Sequence, residues 1–311
     1  GGRSAIEGSF AECWPGSDGR GRMFDFIEKT SHVFPNEDDG RSIFFIGTTK
    51  AGADEATPTK PLSGEGMPRG AIISNACVSS SQAVIEAVDA LNDGDADVAC
   101  VQGFDWLTGF IKDGFASLNA LSAQPAKPFD TSRDGLSLGE GAAVVQLKRA
   151  QDAPDCPQIV SYGCSNDANH ISGPSRDGSG LALAIERALR GIDKSRVVAI
   201  CAHGTGTEYN DAMEAAAFKT VFGNKCPAVF GLKGSLGHTL AAAGLIEIII
   251  SAKIAETGTV PPIAGLEKSD LGLPLVQGFP QQVGRGYVLT TNSGFGGMNT
   301  AVLVGPGKGG G

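Results

Sequence analysis

One cysteine and two histidines stand at turns where side chains could take part in nucleophilic chemistry. Cys77 lies in the stretch SNACVSSSQA (residues 74–83), between a short apolar run and a serine-rich turn that opens a predicted helix. Unpaired backbone N–H groups and the helix dipole at such a turn favour the nucleophilic thiolate, and a backbone amide there can form half of an oxyanion hole. A buried cysteine is more often a small apolar core residue, so this turn alone leaves both interpretations open.

Two of the four histidines lie in turns rich in glycine and threonine. His203 stands in AHGTGTEYND, where small residues let the backbone approach a narrow ligand and where Thr205 and Thr207 present hydroxyl groups. In LKGSLGHTLAAAGLIE, Lys233 precedes His238, which stands at the start of a small-residue helix. Either histidine alone could simply form hydrogen bonds across its loop. Together with the cysteine they follow three strands, and functional groups of an α/β sheet collect at the carboxyl ends of its strands.

These turns need a framework of alternating strands and helices. In the first half, the pattern predicts strands at 42–47, 70–74, 97–103 and 142–147, and helices at 23–34, 79–91 and 115–122, with a loop at 48–68. In the second half, it predicts strands at 159–165, 197–203, 228–232, 287–293 and 300–305, and helices at 178–192, 211–223 and 240–256. Such alternation favours α/β layers over a sandwich or a helical bundle.

Composition restricts the class of protein. The 311 residues are 41% apolar and 19% charged, as in soluble globular proteins of two ordinary domains or one large α/β unit. A net charge of -9 argues against nucleic-acid or anionic-membrane binding. Seven cysteines without zinc-site or disulfide spacing, and a first stretch unlike a signal peptide, predict a cytoplasmic protein. The most apolar window, 241–255, is too short to span a membrane. The polar segment 150–157 predicts a boundary between domains 1–155 and 156–311.

Five segments in chain order carry distinctive motifs: SNACVSSSQAVIEAVDALNDGDADVACVQG, KPFDTSRDGLSLGEGAAVVQL, AHGTGTEYNDAMEA, LKGSLGHTLAAAGLIE and TNSGFGGMNT. They resemble the successive motifs of beta-ketoacyl-acyl carrier protein synthases of the elongating type, within the thiolase superfamily. The resemblance covers residues 70–304. It implies a thiolase-like, five-layered α/β/α/β/α fold made of two similar halves, with the nucleophile in the first half and the histidines in the second.

The resemblance also implies a catalytic role for five residues. Cys77 would take the growing acyl chain as a thioester. His203 and His238 would polarise the thioester carbonyl of the malonyl extender and assist its loss of CO₂, with Lys233 beside them. Phe295 would be an aromatic gate, and its backbone amide would complete the oxyanion hole with that of Cys77.

Five further positions match binding and supporting residues of the family. Thr205 and Thr207 correspond to the threonines that contact the phosphopantetheine arm, and Gly296 to a substrate-binding position. Asp211 and Glu247 correspond to acidic residues of the surrounding polar network. No metal ion is implied, and no cofactor other than the phosphopantetheine arm of an acyl carrier protein, or CoA, which carries the substrates.

The implied activity is decarboxylative Claisen condensation in fatty acid, polyene or polyketide synthesis. Two N–H donors would stabilise the enolate left by decarboxylation, and covalent holding of the acyl group would reduce the entropic cost of joining two substrates. The implied partners are an acyl carrier protein, docked on a local basic patch, and a second synthase-like chain in a homodimer or heterodimer. The strand at 97–103 is the expected dimer strand.

Three features depart from the family pattern. Family members usually begin with an additional apolar strand, which is absent here or replaced by the segment GGRSAIEGSFAECWPG. Val78 stands where serine is more usual, and Asn210 stands in place of a common glycine. Two alternatives therefore stay open. The chain could be a chain-length-factor-like partner that shapes the acyl tunnel of another synthase, although such partners typically lose the nucleophile. It could also be another acyltransferase or a thioester hydrolase on the same scaffold.

Overall fold

The computed structural model describes residues 4–11, 41–49 and 69–308. The helix predicted at 23–34 and nearly all of the loop at 48–68 lie outside these ranges. The strands, numbered in chain order, are β1 (Ser4–Ala11), β2 (Ser42–Gly47), β3 (Gly70–Ile73), β4 (Val98–Asp105), β5 (Gly141–Arg149), β6 (Gln158–Asn166), β7 (Val197–Cys201), β8 (Ala228–Phe230), β9 (Thr259–Val260), β10 (Gln281–Gln282), β11 (Tyr287–Gly294) and β12 (Met298–Gly305). The α-helices are α1 (Ser79–Asn92), α2 (Gly109–Ser117), α3 (Ser179–Ala188), α4 (Glu208–Phe222), α5 (Lys233–Leu236) and α6 (Ala243–Thr257).

The main sheet repeats one arrangement twice. Its order is β3-β2-β4-β5-β1-β6-β12-β11-β7-β8. At one end β3, β2 and β4 are parallel, β5 is antiparallel to β4, and β1 is antiparallel to β5. At the other end β8, β7 and β11 are parallel, β12 is antiparallel to β11, and β6 is antiparallel to β12. In each half, the strand that comes first in the chain lies innermost in the sheet. These two strands, β1 and β6, pair with each other.

Helices α1 and α6 hold corresponding places in the two halves, and they pack against each other between the half-sheets. A Cβ added at Gly244 would lie 2.8 Å from Cβ of Ser81, so the helices approach closely at this glycine. The serine-rich start of α1 is buried, and its hydroxyl groups find partners there: Ser80 Oγ accepts from the Leu245 amide at 2.9 Å, and Ser81 Oγ lies 2.8 Å from Thr300 Oγ1. This packing brings the first residues of both helices together.

Helices α3 and α4 cover the outer face of the second half-sheet. A core of residues from both helices and from β7, β8 and β11 fills this interface; among its fully buried members are Leu181, Ile185, Phe218, Ile200 and Leu289. The described elements form a mixed α/β fold of two similar halves, as the sequence predicts. The division into domains 1–155 and 156–311 stays a prediction. Within the described ranges, no helix is both long and apolar enough to span a membrane.

Three expectations about elements were wrong. The first was that the family's additional opening strand is absent or replaced, but the backbone of Ser4–Ala11 forms β1 between the two halves. The second was a helix at 115–122. Helix α2 instead begins after Thr108, whose side chain accepts from the Ile111 amide, and it ends before Asn119, which has φ +52°. The third was the dimer strand: β4 is paired with β2 on one side and β5 on the other, so neither edge can accept a strand of another chain.

Candidate active site

Cys77 sits in a single 3-10 turn, Ala76–Val78, between β3 and α1. The turn is fixed locally, because Ser79 Oγ accepts from the Asn75 amide at 2.9 Å and donates to the Ala76 carbonyl at 2.6 Å. Ala76 has φ +47°, a left-handed conformation that is costly for a residue with a Cβ and that clusters at functional sites. The turn aims the sulfur of Cys77 at the backbone amides of Cys77 itself and of Phe295. These two amides are the donors that the sequence predicts for an oxyanion hole, and that role stays a prediction.

The resting thiol of Cys77 is neutral. Burial raises its pKa to about 12; the nearby charge of Lys233 opposes this, Asp105 adds to it, and the two backbone amides lower it. The backbone amides lower the pKa of the thiol, in the direction that the sequence predicts, but removal from water outweighs them in the resting site. The sulfur becomes nucleophilic only when its proton leaves during the reaction.

His238 contacts Cys77 directly. Its Nε2 lies 3.0 Å from Cys77 Sγ, and its Nδ1 accepts a hydrogen bond from the Leu240 amide at 3.2 Å. Because Nδ1 acts as the acceptor, the proton of the neutral ring is on Nε2 and points to the sulfur. Burial, and then the charge of Lys233, lower the pKa of His238 well below its usual 6.5, which keeps the ring in this neutral donor form.

His203 follows β7 and stands beside His238. The ring centroids are 5.2 Å apart and the rings are nearly perpendicular, at 89°. Burial, Lys233 and His238 lower the pKa of His203 well below its usual value. Among the described residues, Nδ1 of His203 has no hydrogen-bond partner. The site therefore holds two neutral imidazoles, which can donate hydrogen bonds without being acids.

Lys233 and Glu247 form a buried ion pair behind the histidines. Lys233 Nζ lies 2.5 Å from Glu247 Oε1, and Asn292 Nδ2 donates to Glu247 Oε2 at 2.5 Å. Burial raises the pKa of Glu247, and the ammonium group of Lys233 opposes that shift. Lys233 does not line the cavity described below. It acts on the site through its charge, which disfavours protonation of both imidazoles.

A second buried network supports the turn that carries His203. Glu214 accepts hydrogen bonds from the backbone amides of His203 and Gly204, each at 2.7 Å. Asp211 accepts from the amides of Phe129, at 2.6 Å, and Gly206, at 3.2 Å. Burial raises the pKa of Asp211 to about 6, and burial together with Asp211 raises that of Glu214 to about 8. Glu214 was not among the predicted site residues, although the sequence places this carboxylate one helical turn after Asp211 in an alanine-rich stretch.

The reactive groups open into a cavity of about 430 Å³. Its wall includes Cys77, His203, His238, Thr205, Thr207 and Phe295, all of which the sequence analysis singled out. The hydroxyl oxygens of Thr205 and Thr207 lie 2.9 Å apart. Gly296 is outside the wall: its amide donates to the Ile171 carbonyl at 2.7 Å, so its expected role in substrate binding stays a prediction.

An aromatic pair closes one side of this cavity. Phe295 is 38% exposed and stacks on Phe115, with ring centroids 5.5 Å apart. Phe115, which the sequence analysis did not single out, also meets the edge of His238 at 6.5 Å. In the described parts of the chain, no group of three or more His, Cys, Asp or Glu side chains is placed to hold a metal ion. The chemistry that these residues support is acyl transfer to a thiol next to two neutral N–H donors.

Comparison with protein families agrees with this geometry. The model of the beta-ketoacyl synthase N-terminal domain matches residues 70–153, and that of the C-terminal domain matches residues 157–267. The chain belongs to the beta-ketoacyl synthase family. Solved ketosynthases share its thiolase-like fold. The ishigamide ketosynthase/chain length factor matches with a TM-score of 0.80 and 26% identity over 89% of this chain and 79% of that one. A beta-ketoacyl synthase from Burkholderia phymatum matches with a TM-score of 0.78 and 25% identity, over 92% and 81%.

Curated members of the beta-ketoacyl synthase family are more similar in sequence. The 3-oxoacyl-[acyl-carrier-protein] synthase 2 of Vibrio cholerae is 33% identical over 251 residues, which are 74% of this chain and 61% of the relative. The chloroplastic 3-oxoacyl-[acyl-carrier-protein] synthase II of Arabidopsis thaliana is 34% identical over 256 residues, 76% of this chain and 47% of the relative. The chain thus spans about half to three fifths of the length of these relatives.

Proposed function

We propose that this ketosynthase chain catalyses the decarboxylative Claisen condensation of a malonyl thioester with an acyl group held on Cys77, in fatty acid or polyketide synthesis. The observation that carries the proposal is the 3.0 Å contact between Cys77 Sγ and His238 Nε2, with the ring of His203 beside it on the same cavity. A nucleophile, its oxyanion amides and two uncharged N–H donors are the groups that this reaction requires.

In the first step the acyl group moves to Cys77. The sulfur attacks the carbonyl carbon of an acyl thioester, and the backbone amides of Cys77 and Phe295 hold the oxyanion. The bond between the acyl carbon and the sulfur of the carrier arm then breaks, and the proton of the Cys77 thiol leaves with the arm as its free thiol. Because the resting pKa of Cys77 is about 12, the thiol keeps its proton until the acyl thioester is bound, and the proton then passes to the sulfur of the departing arm.

In the second step a malonyl thioester takes the place of the released arm. The N–H groups of His203 and His238 hold its thioester oxygen, the bond to the carboxylate carbon breaks, and CO₂ leaves its electron pair on the enolate. The enolate carbon attacks the acyl carbon on Cys77, and the thiolate that departs regains a proton from water. Neutral donors suit this step, since they stabilise developing negative charge and keep their own protons.

The substrates would arrive on a pantetheine-type arm. The paired hydroxyl groups of Thr205 and Thr207 line the cavity and suit the amide groups of such an arm, carried by acyl carrier protein or CoA. One similar structure, with a TM-score of 0.72 and 26% identity, is a type II polyketide acyl-carrier protein in complex with its ketosynthase. We expect the same class of carrier here.

A second synthase-like chain is the expected partner in a homodimer or heterodimer. Similar structures include ketosynthases together with their chain length factors. Within the described ranges β3 is one of the two end strands of the main sheet, so we expect β3 rather than β4 to pair with a partner chain. A cytoplasmic location is part of the proposal; the cysteines in the described part of the chain are free thiols, which suits a reducing compartment.

A condensation assay tests the proposal. The protein is incubated with an acyl carrier thioester and a malonyl carrier thioester, and a 3-oxoacyl product two carbons longer than the primer is expected. Cys77→Gln should abolish the product and keep malonyl decarboxylation, because it removes the nucleophile and leaves both histidines. Cys226→Ser, a change away from the cavity, should keep both activities. Absence of product from the native chain, alone and with a partner chain, would overturn the proposal. Product that forms only with a partner and survives Cys77→Gln would indicate a chain-length-factor-like role.

A further inference from the structure

Asn210 joins the two buried carboxylates of α4. It is 8% exposed and contributes to the cavity wall. Its Nδ2 donates to Asp211 Oδ1 at 3.2 Å and to Glu214 Oε2 at 2.9 Å. In the elongating synthases that the sequence resembles, glycine is common at this position. Glycine has no side chain to make either hydrogen bond.

The two carboxylates in turn hold the backbone of the turn that carries His203. Of the amides from His203 to Gly206, those of His203 and Gly204 donate to Glu214 and that of Gly206 donates to Asp211. Gly204 and Gly206 have φ +44° and +81°, so both have left-handed backbone conformations. The turn that they form depends on hydrogen bonds to residues outside it. The position of the His203 ring therefore depends on how these carboxylates are held.

Two neighbouring buried carboxylates repel each other, and each is further disfavoured by loss of water. Asn210 supplies a donor to both without placing another charge next to the histidines. The charged and titratable groups that act on the pair include Arg133, which acts on Asp211, and Lys233, which acts on Glu214. The thiol of Cys201 also faces Glu214. Neither cation donates a hydrogen bond to either carboxylate. The side chain that donates to both carboxylates is that of Asn210.

We propose that Asn210 is a positioning residue: its amide nitrogen clamps Asp211 and Glu214 together, and through their bonds to the turn it holds His203 where the malonyl thioester must bind. Cys77 lies on a different element and receives no support from this network. The proposal thus separates two steps of the reaction: loss of Asn210 impairs decarboxylation, which uses His203, and spares acyl loading, which uses Cys77. In this form it rests on the proposed function.

Two variants test the clamp. Asn210→Asp keeps the shape and replaces the donor by a third carboxylate, and Asn210→Gly removes the side chain. Acylation of Cys77 and decarboxylation of the malonyl thioester are measured separately. Since a small displacement of a positioned group is costly, decarboxylation should fall at least about tenfold in both variants, while acylation changes less than about threefold. Asn224→Asp, which adds the same charge at an exposed position, should change neither.

Equal loss of both steps, or loss of neither, would overturn the proposal. A readout without activity separates it from the proposed function. In protein labelled with ¹³C-histidine, the His203 ring signal, assigned with His203→Gln, should shift in both Asn210 variants and stay in place in Asn224→Asp. If the native chain neither acylates Cys77 nor decarboxylates the malonyl thioester, the proposed function is wrong. The His203 signal then tests the positioning role of Asn210 by itself, and an unchanged signal in both Asn210 variants refutes that role.

Discussion

At the scale of single residues, burial first and one buried charge second set the protonation of the reacting groups. The ammonium group of Lys233 lowers the pKa of His203, of His238 and of Cys77, although it does not line the cavity. For a histidine, a lowered pKa means that the neutral donor form persists to a lower pH than 6.5. The imidazoles are thus N–H donors throughout the neutral range, and Glu247 keeps the lysine in place.

Removal of this charge should move the pH profile of decarboxylation. In Lys233→Met, the pKa values of His203 and His238 rise toward their usual value, so the acidic limb of the profile moves up toward pH 6.5. The added change Glu247→Gln removes the carboxylate that would otherwise stay buried without its partner, a loss that costs several kcal/mol. Malonyl decarboxylation measured from pH 5 to pH 9 checks this. Lys225→Met, an exposed change, should leave the profile in place; a profile that Lys233→Met also leaves in place would contradict the account.

The sequence predicted which side chains meet in the site, but it did not predict which of their atoms carry protons. The turn at Cys77 and the two histidine turns were recognisable because each follows a strand. That Nδ1 of His238 accepts from Leu240, and that burial outweighs the helix end at Cys77, depend on distances and on water exclusion. Those quantities arise from packing between segments far apart in the chain, so no local pattern contains them. Glu214 was missed for the same reason, since the backbone amides that it binds, those of His203 and Gly204, lie outside its own helix.

At the scale of elements, close approaches at glycine fix how helices lie on the sheet. A Cβ added at Gly163 on β6 would lie 2.1 Å from the Ala184 carbonyl oxygen of α3, whereas one at Gly114 in α2 would meet nothing within 4 Å. The pattern of apolar residues predicted β2 well because it is a continuous buried apolar run, and α1 because its apolar residues recur at helical spacing. It missed β1 and misplaced α2, where backbone pairing and a threonine cap set the bounds.

Two alanine substitutions should therefore have opposite effects. Gly163→Ala forces α3 away from β6 and should lower the free energy of unfolding by about 1–3 kcal/mol, the usual cost of overpacking. Gly114→Ala adds a better helix former in open space and should raise it by about 0.5–1 kcal/mol. Urea unfolding followed by circular dichroism measures both. Similar stability in the two variants would contradict the described packing of α3 on β6.

At the scale of the whole molecule, the repeated halves build the site at their junction. Cys77 and His238 are 161 residues apart in the chain, and the packing of α1 on α6 brings them into contact. The site also contains buried carboxylates that weaken the fold as they ionise. Burial raises the pKa of Glu214 from 4.5 to about 8, so between these values the folded chain binds a proton that the unfolded chain has released. The contribution of Glu214 to the free energy of unfolding therefore falls as pH rises.

Glu214→Gln should flatten this dependence. In the native protein, one such group lowers the free energy of unfolding by up to about 1.4 kcal/mol per pH unit between its unfolded and folded pKa values. Glutamine cannot ionise, and only the smaller contribution of Asp211 stays. Urea unfolding at several values from pH 5 to pH 8 checks this, with the exposed change Glu186→Gln as control. Parallel curves for the native protein and Glu214→Gln would show that Glu214 is ionised when folded.

The most direct test of the account is the mass of the protein after incubation with an acyl carrier thioester. Intact mass spectrometry should show an increase by one acyl group, and peptide mapping should place it on Cys77. Cys77→Ala should show no increase, because the acceptor sulfur is gone. An unmodified native chain, or an acyl group found on another cysteine such as Cys164, would contradict the assignment of Cys77 as the acyl acceptor.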